Sequence, residues 1–105
     1  MSFTKAGIVQ LTPLSYASTT LSNSTAWALN STMQASANVI HLCVETNNVR
    51  YRADGTAPTL TEGVVLQKDY DYWWWGFTRS AAVKFQRTTG SAKVSVMAYS
   101  YLGQP

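Results

Sequence analysis

The chain carries one histidine, one cysteine and five carboxylates, and their spacing bounds the chemistry it can offer. His41 and Cys43 lie one residue apart within Val39-Ile40-His41-Leu42-Cys43-Val44, an apolar run that reads as a buried strand. A histidine there serves packing, and a lone thiol among aliphatic residues acts as a small hydrophobe. A single cysteine allows no internal disulfide, and no zinc-type ligand spacing is present. Glu45, Asp54, Glu62, Asp69 and Asp71 are scattered along the sequence. Asp69 and Asp71 alone share one face of an extended segment, flanking Tyr70, where they could hold a cation or work as an acid pair. A solvated strand entrance is the simpler reading of that pair. There is no phosphate-cradling glycine loop and no serine elbow. The sequence therefore predicts no catalytic residue, no metal ligand and no cofactor, and a non-enzymatic protein.

The elements that would position these groups are short alternating segments rich in Val, Thr, Tyr and Trp, punctuated by Gly, Pro, Asn and Asp. That pattern predicts an all-β fold: one small antiparallel β-sandwich, jelly-roll-like or barrel-like, with an extended N-terminal segment. Strands are expected at Gly7 to Leu11, ended by Pro13, and at Val39 to Glu45. Further strands are expected at Val49 to Arg52, Gly63 to Lys68, Tyr70 to Phe77, Ala82 to Arg87 and Ala92 to Tyr101. Asn47-Asn48 offers a turn, and Thr89-Gly90 predicts a hairpin between the last two strands. Residues 1–38 read as a strand followed by a polar extended arm, and 39–105 as the compact β core of the same single domain. In the Ser15 to Asn38 stretch, a helix capped at Ser24 or Thr25 and running through Trp27, Leu29 and Met33 competes with extended chain. The thin apolar face and the interrupting Asn30-Ser31-Thr32 favour extended chain, with a surface loop over Ser31 to Asn38.

One hundred and five residues suit one domain with a core of its own. A net charge of +3 is mildly basic and rests on few residues. Arg50 and Arg52 alternate across Tyr51, a pair that could touch phosphates, but no dense basic stripe accompanies them and acids sit close by. A solvated sheet face is the favoured reading, and nucleic acid is not an expected partner. The start of the chain lacks the apolar run of a signal peptide, and no stretch reaches the length of a membrane span. A soluble protein made in a cytoplasm, with no membrane partner, is expected.

Tyr70-Asp71-Tyr72-Trp73-Trp74-Trp75-Gly76-Phe77 holds nearly half of the aromatic residues. On a strand, Tyr70, Tyr72 and Trp74 share one face, and Trp73, Trp75 and Phe77 the other. A small sandwich can bury one such face; the second needs a partner. The segment's end at Gly76-Phe77 points to Trp73, Trp75 and Phe77 as core. Tyr70, Tyr72 and Trp74 are then the expected contact face, joined by Trp27, Arg50 and Arg52. In the adjoining loop Asp54, Gly55 and Pro58 are expected to serve structure, with Asp54 bonding nearby backbone as an Asx turn.

Val44-Glu45-Thr46-Asn47-Asn48-Val49-Arg50-Tyr51-Arg52-Ala53-Asp54-Gly55-Thr56-Ala57-Pro58-Thr59 is followed by Gly63-Val64-Val65-Leu66, by Ala82-Val83-Lys84-Phe85-Gln86-Arg87, and by a Val-Ser-Val-Met-Ala-Tyr strand. This order resembles small β-sandwich structural proteins of tailed bacteriophages, over Val39 to Tyr101. The Tyr-Trp-Trp-Trp segment departs from that family, whose corresponding stretch is short and polar. The resemblance implies a virion component made in the host cytoplasm. Its most direct form is a capsid decoration or cement protein that forms a homo-oligomer, a trimer favoured, and binds the major capsid protein. A neck, tail or fibre part is the nearest alternative, and a carbohydrate-binding module using exposed rings is a further one.

Overall fold

The computed structural model describes residues 10–75 and 82–102. Its strands are β1 (Gln10–Leu21), β2 (Trp27–Ala28), β3 (Val39–Glu45), β4 (Val49–Arg52), β5 (Val64–Leu66), β6 (Asp71–Trp75), β7 (Lys84–Arg87) and β8 (Ala92–Leu102), with a short helix, α1 (Ser31–Ser36). They form two four-stranded antiparallel sheets: sheet A in the order β1-β8-β3-β6 and sheet B in the order β2-β7-β4-β5. Ile40, Leu42, Val44, Val94 and Val96 of sheet A meet Val49, Leu66 and Phe85 of sheet B in one buried cluster. Alternation places these side chains on the facing surfaces, and each fully buried one contributes roughly 1.5–3 kcal/mol. The fold is the all-β sandwich that the alternating segments predict.

Three expectations for the N-terminal third are corrected. Residues 10–38 are not an arm outside the core: β1 pairs with β8 along its whole length, and Leu21, Leu29 and Met33 are buried in the inter-sheet cluster. Pro13 does not end the first strand. It sits on the edge of sheet A beside a register shift between Pro13 and Ser15, where a missing N–H is tolerated. Ser31 to Ser36 is helical, not a surface loop. The cap is Asn30, whose Oδ1 accepts from Met33 N–H at 3.0 Å, and the fully buried Met33 anchors the turn.

The chain changes sheets at one end of the sandwich in four places: β1 to β2, β3 to β4, β5 to β6 and β7 to β8. Each of the last three holds a residue with positive φ, Thr46 at 72°, Asp69 at 67° and Gly90 at 59°. These three are stitched together around two asparagines. Asn48 accepts from Thr88 N–H through its carbonyl and from Lys68 N–H through Oδ1, at 3.3 and 2.9 Å. Asn47 donates from Nδ2 to the Ser91 carbonyl at 2.8 Å. The hairpin expected at Thr89-Gly90 is thereby corrected, because β7 and β8 belong to different sheets. Both sides of β7 are already occupied, by Trp27 of β2 and Tyr51 of β4 opposite Phe85.

Candidate functional site

The outer surface of sheet A carries the aromatic groups that the core does not use. Pairing of β6 with β3 sets Trp73 beside His41 and Trp75 beside Val39, and β8 sets Met97 and Tyr99 on their other side. Trp73 and Trp75 remain 45% and 48% exposed. The rings lie near-parallel: Trp73 to Tyr99 at 5.8 Å and 24°, Trp75 to Tyr101 at 6.3 Å and 29°, Trp73 to Trp75 at 6.4 Å and 28°. Val39, on the same surface, is 0% exposed yet stands outside the inter-sheet cluster. The ring array is its cover, so this face has a small apolar centre of its own.

A polar end adjoins the array. His41 stacks on Trp73 with centroids 4.3 Å apart and planes 8° from parallel, and its Nε2 lies 2.9 Å from Asp71 Oδ2. The hydrogen bond from His41 holds the Asp71 carboxyl below its ordinary range. Asp69 and Asp71 do line one cleft, with Cys43, Glu45 and Tyr70. Among the described residues no group of three or more His, Cys, Asp or Glu side chains is placed to hold a metal ion. Burial raises the Cys43 thiol, and the charges of Asp71 and Glu45 raise it further. Cys43 should accordingly react with a disulfide reagent at neutral pH more slowly than free cysteine, and Asp71→Asn should speed it. A thiol as fast as free cysteine would contradict this environment.

The two faces of the aromatic strand are the reverse of the sequence expectation. Trp74 points inward, 4.6 Å from Tyr51 and 6.2 Å from Phe85, and Tyr72 packs on the same cluster while its hydroxyl accepts from Gln67 N–H at 2.9 Å. Trp27 also packs inward, 5.8 Å from Phe85. Tyr70 is exposed at the entrance to β6. Trp73 and Trp75, expected in the core, are the outward rings; Phe77 lies outside the described residues. The physical reason is Asp71, which shares their parity and would be carried into the core if they faced it. Tyr99 and Tyr101 complete the array and were not among the expected contact residues, although β8 alternates Lys93, Ser95, Met97, Tyr99, Tyr101 against Val94, Val96 and Ala98.

Arg50 and Arg52 lie on the opposite, outer side of sheet B and are already engaged. Arg50 donates from Nε to the Leu60 carbonyl at 3.1 Å and from Nη1 to the Gly63 carbonyl at 3.0 Å, which clamps the β4–β5 loop over the sheet. Arg52 forks onto the Asp54 carboxylate, with Nε 3.1 Å from Oδ1. Asp54 Oδ1 also accepts from Thr56 N–H at 3.3 Å in an Asx turn, Gly55 takes φ 87°, and Pro58 is buried.

The Arg52 hydrogen bond brings the Asp54 carboxyl down from 3.8 to about 2. A folded value below the unfolded one means stability that is complete above the ordinary carboxylate range and is lost as pH falls towards about 2. Asp54→Asn should flatten the acid limb of a melting-temperature profile over that window; an unchanged limb would show that the ion pair does not form in solution.

Comparison of the chain with protein families, with characterised proteins and with solved structures finds no match.

Proposed function

We propose that this chain is a non-enzymatic structural protein of a tailed-bacteriophage virion, a capsid decoration or cement protein that self-associates and seats its aromatic face on the coat-protein lattice. One observation carries the reading: a half-exposed array of Trp73, Trp75, Tyr99 and Tyr101 over a buried Val39, on a rigid sheet. Trp and Tyr dominate the energetic centres of protein contacts, and a preformed array loses little conformational freedom on docking. The resemblance over Val39 to Tyr101 supplies the virion setting. The Arg50-clamped loop fits a scaffold role for that stretch, since its hydrogen bonds are satisfied internally.

In virions of the phage that encodes it, the protein should occur at a copy number near that of the coat protein, and particles lacking it should break at lower temperature. A handful of copies per particle would instead mark a neck, tail or fibre part. Trp73→Ala and Trp75→Ala should each weaken binding to particles by about thirtyfold, the effect of a hot-spot residue of roughly 2 kcal/mol.

The near-parallel rings also favour a second reading, a carbohydrate-binding module, because such arrays stack on sugar faces. Glycan binding that alters tryptophan fluorescence, with no affinity for particles, would replace the first reading by the second.

A further inference from the structure

Open sheet edges invite pairing with other chains, and folded domains blunt them with short strands, proline, bulges or covering segments. The outer strands of sheet B are blunted by length, β2 having two residues and β5 three. At one edge of sheet A, β1 carries Pro13 and the adjacent register shift, and Asn30 covers it by donating from Nδ2 to Ser15 Oγ at 3.1 Å. Among the described residues β6 has none of these devices. Asp71-Tyr72-Trp73-Trp74-Trp75 contains no proline, glycine or lysine, pairs with β3 without a shift, and is the last strand of sheet A among the described residues.

The ladder decides which backbone groups face outward. Val44 N–H donates to the Tyr70 carbonyl at 3.2 Å, so Tyr70 and, by alternation, Tyr72 and Trp74 turn toward β3. Asp71, Trp73 and Trp75 then direct their N–H and C=O groups to the open edge. Trp73 is the middle residue of the strand. A second copy laid antiparallel about it matches Trp73 with Trp73 and Asp71 with Trp75, and keeps every side chain on its own face.

We propose that a second copy of this chain adds to β6, antiparallel and two-fold about Trp73, fusing two A sheets into one of eight strands. The strand is self-complementary in the way an isologous contact requires. Its single charge, Asp71, is held by His41 and faces tryptophan, not another carboxylate, across the axis. A three-fold ring would instead have to close β6 on the Pro13 edge of a neighbour, so the unlike edges select a dimer over the expected trimer. This pairing rests on the assembly reading above and deepens it, since it joins two aromatic faces into one continuous docking area.

Light scattering over a concentration series should show the mass rise from one chain to two. In a Cys43→Ser background, Trp73→Cys should form an intermolecular disulfide under mild oxidation, while Tyr16→Cys on β1 should not. Trp75→Pro removes an outward N–H at a position where an edge strand tolerates proline; it should keep the β circular-dichroism spectrum and weaken self-association more than tenfold. A monomer at every concentration, a trimer, or a dimer that cross-links at Tyr16→Cys and not at Trp73→Cys would overturn the proposal. None of these measurements involves a virion. A dimer that ignores particles therefore removes only the docking reading, and a monomer that coats them removes only the pairing.

Discussion

Gly63→Val is expected to destabilise the domain by about 3–5 kcal/mol, adding the strain of a glycine-only backbone to overpacking. That is a large fraction of the roughly 5–15 kcal/mol that holds a domain of this size together. Gly63 takes φ 135°, a conformation that side chains rarely adopt. A Cβ there would stand 3.0 Å from the Cβ atoms of both Arg50 and Pro58 and 3.2 Å from the Tyr51 carbonyl oxygen. None of these three atoms is the tip of a flexible side chain, so the loop would have to lift off β4 and release the two carbonyls that Arg50 holds. Gly55 provides the contrast. It also has positive φ, 87°, but nothing lies within 4 Å of an added Cβ, so Gly55→Ala should lose only about 1 kcal/mol. Thermal or urea unfolding separates the two, and a Gly63→Val protein that melts with the wild type would mean that the loop is not clamped.

Trp74→Ala should likewise destabilise by about 3–5 kcal/mol, whereas Trp73→Ala should remain folded with a loss of about 1 kcal/mol. Trp74 fills space between the sheets against Tyr51 and Phe85, and its removal leaves a cavity that two sheets cannot close without shifting. Trp73 lies half-exposed on the outer surface and stacks on His41, so water can take its place. Urea midpoints report the first difference, and binding to particles should show the opposite order, with Trp73→Ala the more damaging at temperatures where both proteins are folded. If Trp73→Ala unfolds the domain and Trp74→Ala does not, the assignment of inner and outer faces fails.

The strands from Val39 onward are legible in the sequence because alternation and turn residues are local signals, whereas the run of β1 past Pro13 to Leu21 is not. Val39 to Glu45 and Val49 to Arg52 emerge with the same bounds in the structure. Partnering was not legible. Thr89-Gly90 has hairpin chemistry, yet its two strands enter different sheets, since strand neighbours are set by contacts distant in sequence. The short helix has no periodic signature, because its stability comes from one buried methionine and one capping asparagine. For the aromatic strand the necessary signal was present and outweighed: Asp71 alternates in phase with Trp73 and Trp75, and a carboxylate beside two rings on one face marks that face as wet. The rest of the array, Tyr99 and Tyr101, depended on knowing that β8 lies next to β3.

The pairing of β1 with β8 joins nearly the two ends of the chain, from Leu21 opposite Ala92 to Gln10 opposite Leu102. Sandwiches dominated by such distant contacts fold on the order of milliseconds to seconds, far slower than helical domains of similar size. During synthesis β1 leaves the ribosome ahead of β2 to β7 and lacks its partner until β8 has followed them. It must wait in water as an unpaired strand, the state most exposed to misassociation. Its sequence, Gln-Leu-Thr-Pro-Leu-Ser-Tyr-Ala-Ser-Thr-Thr-Leu, suits that delay, with hydroxyl residues breaking up every apolar stretch and a proline interrupting the ladder. The polar character of β1 thus bears on the nascent chain as much as on the folded protein, because β1 is made well before the strand that pairs with it.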